Sequence, residues 1–238
     1  MSLISGVPHW LSAGLKHQLH DAGFTWFGRT ARRVTNTKID VIDIELIRKA
    51  LCHKWALPYG SITLGVGCFL PFVPSMERSK FHCGRDSTAQ PRHLDCTIRF
   101  GIERKIEQKE VKNAKNIWFV DQNKENVAVL DDMKSAISDK VLKFFQSNDD
   151  ISNLLECLQH EKDNMGGTGI WNIGKEGSFK RLYLIGFTAL EMGDWELADR
   201  SLRDCQYLIE SKNLSINQNI VGCIRHAITL AYNQQNLR

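Results

Sequence analysis

The chain has 238 residues, of which 42% are apolar and 24% charged, and a formal net charge of +4. This composition supports a buried core and holds no apolar run of the roughly 18 to 20 residues that would cross a bilayer. It also lacks the strong basic excess of a typical nucleic-acid binder. Seven cysteines are an odd number scattered along the chain, unlike a disulfide scaffold, and the opening MSLISGVPHW has no basic region leading into a long apolar segment. The expectation is a cytoplasmic protein with free thiols and no membrane contact.

In chain order, Leu11, Leu15 and Leu19 recur at helical spacing behind Pro8, predicting a helix that ends at Gly23. Phe24 to Phe27 begins an extended segment leading into a hairpin, and Lys38 to Ile47 reads as a strand with one polar face. Ile62, Leu64, Val66 and Cys68 alternate with Thr63, Gly65 and Gly67, predicting a strand over 61–69 with a bare second face that another segment approaches closely. Pro71 to Pro91 forms a long excursion, after which Cys96, Ile98, Phe100 and Ile102 predict a half-buried strand over 96–102. Arg104 to Lys115 reads as solvated polar surface, and Ile117 to Val120 as a short strand.

Asp131 or Asp132 is positioned to cap a helix carrying Met133, Ile137, Val141 and Phe144 or Phe145, and a second helix presents Ile151, Leu154, Leu155 and Leu158. Gly166, Gly167, Gly169, Gly174 and Gly177 mark residues 163–177 as a linker or loop. Beyond it, helices are expected from Ser178 to Met192, across Leu197 to Ile209 after a Gly193-Asp194 turn, and from Ile216 to Tyr232. The fold class is therefore α+β: a mainly antiparallel sheet with packed helices over 1–162, the glycine-rich segment, and a helical module over 178–238.

Few residues combine into chemistry. His82, Cys83, His93 and Cys96 are close in sequence, but they lack the paired spacing of a zinc site, so no metal and no cofactor are expected. Cys52-His53 and His82-Cys83 supply nucleophile and base types without a third group to orient them, so no catalytic residue is assigned. GGTGIWNIG lacks the ending of a phosphate-binding loop. Arg29, Arg32 and Arg33, with Arg48, Lys49, His53 and Lys54 farther on and Trp26 and Trp55 interleaved, form a basic aromatic stretch suited to a phosphate backbone.

Two resemblances follow from these segments. The helix ending at Gly23-Phe24, TWFGRTARRV, IDVIDIEL, SITLGVGCFLP, PRHLDCTIRFGI and DDMKSAISDKVLKFF together resemble the bacterial domain-of-unknown-function family 4304, over about residues 8–160. That resemblance implies an α+β domain without assigned catalytic residues, of the accessory or immunity type. Gly186, Gly193-Asp194, Ala198 and Leu202 resemble a single tetratricopeptide repeat, with departures at Ala189 and Glu210, and a lone repeat reads as a packing unit. The resulting expectation is a non-enzymatic protein that binds a protein partner, with Arg29, Arg32, Arg33, Lys54, Trp55, His82 and Arg85 as candidate contact residues. A nucleic-acid-associated protein is the first alternative. The second is an enzyme with a site in the 71–96 loop, where His82, Arg85, Asp86 and His93 gather.

Overall fold

The computed structural model describes residues 7–75, 90–112, 114–121, 125–164 and 168–237. Helix α1 (His9–Asp21) buries Leu11, Leu15 and Leu19, and the chain reverses at Gly23 with φ +84°. A tight hairpin follows, in which β1 (Thr25–Phe27) turns through Gly28-Arg29 into β2 (Thr30–Val34). Then come β3 (Ile39–Leu46), the short helix α2 (Lys49–Lys54), β4 (Ser61–Phe69), β5 (Ile98–Gly101) and β6 (Trp118–Phe119). Among the described residues seven strands form one antiparallel sheet, in the order β1-β2-β3-β4-β5-β7, with β6 paired to the start of β4.

The last strand, β7 (Gly169–Trp171), comes from the glycine-rich segment expected to be a linker or loop. Its pairing with β5 places Ile170 opposite Phe100 and Gly169 opposite Gly101. Glycine density marked the segment as a break, whereas its apolar Ile170-Trp171 pair completes the sheet. Residues 163–177 therefore belong in part to the sheet.

The pleat sends alternate residues to opposite faces. On one face Ala31, Ile42, Ile44, Leu64, Val66 and Ile98 join a core with Leu11, Leu15 and Leu19 of α1. That core also takes in residues of α3 (Val127–Ala136), α4 (Lys143–Ser147) and α5 (Ile151–His160). Helix α3 is capped by Asn126, whose side chain accepts the Val129 N–H, and not by Asp131 or Asp132. Asp132 is instead buried one turn in, where its carboxylate has other partners. A π-helical turn, Ile137–Leu142, joins α3 to α4.

The 61–69 and 96–102 predictions hold in type, with two differences. The second strand starts at Ile98, because His93–Asp95 first form a helical turn and carry Cys96 over the opposite face, where it packs on Ile39 and Val41. Phe100 is half-buried, stacked on Phe144 at a centroid distance of 4.7 Å. Arg104 also departs from the solvated reading, donating to the Ile117, Ile106 and Val111 carbonyls and closing its own loop.

Helices α6 (Phe179–Met192), α7 (Trp195–Ser211) and α8 (Gln218–Gln235) complete the chain. Ser178 caps α6, Gly193 ends it at φ +77°, and Asp194 caps α7 by accepting the Leu197 N–H at 3.1 Å. Gly186 admits Leu202, whose Cγ would lie 2.5 Å from any Cβ at that position. Tyr183, Leu184, Phe187 and Leu202 belong to the same hydrophobic cluster as the sheet core, and the Tyr183 hydroxyl donates to the Pro74 carbonyl at 2.8 Å. No helix among the described residues is long and apolar enough to cross a membrane.

Candidate functional site

The sheet face away from α1 carries Thr30, Arg32, Asp43, Glu45, Gly65 and Gly67 at its centre. Two glycines side by side leave a trough, and residues 90–97 lie in it as a strap. A Cβ on Gly65 would fall 2.5 Å from the His93 ring, and one on Gly67 would fall 2.6 Å from the Cys96 Cβ. The predicted close approach to the glycine face is thus made by this strap.

Polar side chains hold it down. Asp43, wholly buried, accepts the His93 backbone N–H at 2.8 Å and the Thr30 hydroxyl, and stands 3.4 Å from the Arg92 Nε. Arg32 donates to the Pro91 carbonyl at 2.7 Å and to that of Gln90 at 3.3 Å. Burial, the largest influence on it, draws the Arg32 pKa below the usual arginine value. The His93 Nδ1 lies 3.3 Å from a Glu45 oxygen, its ring meets Trp171 edge-on, and Arg99 lies over that same indole.

Beside the strap opens a groove of about 420 Å³. Its walls include Arg29 from the β1–β2 turn, Glu45 from β3, Arg48, Leu51 and Trp55 from around α2, and Arg92 from the strap. Trp55 is 52% exposed. Arg29 and Arg48 make no side-chain hydrogen bond or ion pair among the described residues. Glu45 is held below the usual glutamate value, chiefly by its hydrogen bond to His93 and further by the charges of Arg92 and Arg29.

A carboxylate depressed in this way stabilises the fold above its unfolded pKa, 4.5 for Glu45, and loses that contribution as pH falls through its folded value. Glu45→Gln is therefore expected to unfold at a lower temperature than the native chain near pH 6. The gap should close as acid is added below about pH 4.5. Thermal unfolding across this range checks it, and a gap of constant size would contradict the assignment.

The candidate contact residues divide. Arg29 and Trp55 meet in the groove, and Lys54 is exposed next to Trp55. Arg32 is turned into the strap, and Arg33 is turned to the opposite face, where it pairs with Asp40 at 2.6 Å and Asp149 at 2.7 Å. His82 and Arg85, with Cys83 and Asp86, lie outside the described residues. Cys52 is buried with its thiol toward the Ile47 carbonyl, while His53 is exposed, so these neighbours do not form a dyad. Burial pushes the Cys157 and Cys205 thiols up to about 12, and those of Cys68 and Cys96 well above their usual value, which leaves these four inert as nucleophiles. Among the described residues no group of three or more His, Cys, Asp or Glu side chains is placed to hold a metal. Sequence reasoning placed Arg48 in the basic aromatic stretch but not among the candidate contact residues, and it missed Glu45 and Arg92 as site residues, although the polar alternation of IDVIDIEL marked the face on which Glu45 stands.

No family model, curated protein or solved structure matches the chain.

Proposed function

We propose that the chain is a non-enzymatic binding protein that engages a protein partner through the groove beside the strap, as an immunity-type or defence-associated protein does. One observation carries this reading: an exposed tryptophan, Trp55, shares a concave wall with Arg29 and Arg48, whose guanidinium groups make no hydrogen bond or ion pair among the described residues. Tryptophan and arginine are the side chains from which interface hot spots are most often built. His93 supports the same reading, since its N–H goes to Asp43 and its ring to Glu45 and Trp171, a holding role for the strap. The resemblance to family 4304 carries no catalytic residues and is consistent with it. The buried thiols of Cys52, Cys68, Cys96, Cys157 and Cys205 support action in a reducing compartment such as the cytoplasm.

Affinity capture from the native host with the unaltered chain, Trp55→Ala and Arg48→Glu tests this. The expected result is one protein recovered in comparable molar amount by the unaltered chain and lost from both variants, with thermal unfolding of the variants unchanged. Recovery indifferent to both substitutions would contradict the reading, as would small-molecule turnover abolished by a His93 substitution.

A further inference from the structure

Resting on that reading, we propose that the groove takes an extended acidic segment of the partner polypeptide: carboxylates at Arg29 and Arg48, an apolar side chain against Leu51 and Trp55, and a backbone N–H toward Glu45. Charge complementarity argues for it. Arg29 and Arg48, which make no side-chain hydrogen bond or ion pair among the described residues, line the groove from separate elements, and the side chain of a third arginine, Arg92, is 45% exposed although it stands near Asp43. Planar guanidinium groups pair with carboxylates through two parallel hydrogen bonds, which gives direction as well as attraction.

The remaining wall groups select among anions. Glu45 stays ionised through the neutral range, held by His93, and so presents an acceptor inside a basic groove. A peptide backbone supplies an N–H for that acceptor, whereas a phosphate chain brings only negative charge against it. Leu46, Ile47, Leu51 and Ile117 add apolar lining that a leucine-sized side chain covers. A volume of about 420 Å³ holds a few side chains. The basic stretch does not continue as a phosphate track, because Arg32 and Arg33 are turned to the Pro91 carbonyl and to Asp40. Single-strand binders instead follow several nucleotides along a continuous cationic groove with stacking aromatics.

The test is binding of a short fluorescein-labelled peptide alternating glutamate and leucine, followed by anisotropy. The same peptide with glutamine for glutamate and a labelled single-stranded oligothymidylate are run beside it. The acidic peptide should bind, and the glutamine peptide should bind at least about tenfold more weakly, equivalent to the loss of one charged contact. Arg29→Gln with Arg48→Gln should weaken the acidic peptide by a similar factor. Arg48→Gln alone, on an exposed residue, repeats the comparison should the double variant lose its fold. Equal affinity for both peptides overturns the proposal. So does oligothymidylate binding that is tighter than the acidic peptide and sensitive to the same substitutions. If no peptide binds while the host partner is still lost on Trp55→Ala, the acidic segment is refuted and the binding-protein reading stands. If both fail, both are refuted.

Discussion

Asp40→Ala should lower the unfolding free energy by about 3 to 5 kcal/mol, the cost of stranding buried charge. The Asp40 side chain is fully buried, and its carboxylate is shared by Lys38, at 2.5 Å and equally buried, and by Arg33 at 2.6 Å. Lys38 also donates to the Phe145 carbonyl at 3.1 Å and lies 3.0 Å from Asp149, so the cluster ties β2 and β3 to the turn between α4 and α5. Burial, the largest influence on Asp40, raises its pKa despite two cationic partners, which marks desolvation as the dominant cost at this site. Removing the carboxylate leaves Lys38 and Arg33 with only the partly exposed Asp149 as counter-charge among the described residues. Replacing both members, as Lys38→Met with Asp40→Leu, removes charge and counter-charge together and should cost less than Asp40→Ala alone. Urea unfolding midpoints check the order, and a double variant less stable than the single one would contradict it.

Trp118→Ala carries a comparable expected loss, about 3 to 5 kcal/mol, from a large cavity in a closed site. Trp118 is fully buried in β6, opposite Ile62, and its indole N–H donates to Asp132 at 2.8 Å. The same carboxylate accepts the Lys105 N–H at 3.0 Å and the Ile106 N–H at 3.2 Å. Alanine therefore opens a void and leaves a buried acid one donor short. Trp118→Phe retains most of the volume and loses only the hydrogen bond, so its cost should fall to about 1 to 3 kcal/mol. Equal losses in the two variants would show that the void matters little.

Strands with one apolar face were legible because alternation is a local signal. Ile62, Leu64 and Val66 declared β4 in this way, and Gly65 and Gly67 declared that something would lie against them. What lies there is a strap around His93 and Cys96, some thirty residues on, and no local pattern names such a partner. Arg32 and Arg33 show the same limit. Side by side in a strand they point to opposite faces, and each meets groups distant in sequence, Pro91 for one and Asp149 for the other. A basic surface run was the natural reading of the string, yet neither residue is available to a ligand. Helix α2 spans only six residues, Lys49–Lys54, too short for an apolar period to register. Within the groove, Arg29 and Trp55 were legible as a cation and an aromatic of one basic stretch. Arg48 was legible as part of the same stretch, whereas Glu45 and Arg92 become site residues only through strand register and the path of the strap.

Photo-crosslinking from inside the groove tests the central claim most directly. A benzophenone amino acid is placed at position 116, where Asn116 is exposed in the groove lining, and in a second chain at position 207, where Tyr207 is 69% exposed on α7. Both are irradiated in the native host. The expected result is one partner protein crosslinked from position 116, at a stretch of its sequence rich in aspartate or glutamate, and no such product from position 207. Equal crosslinking from both positions, or none from position 116, would contradict a partner seated in the groove.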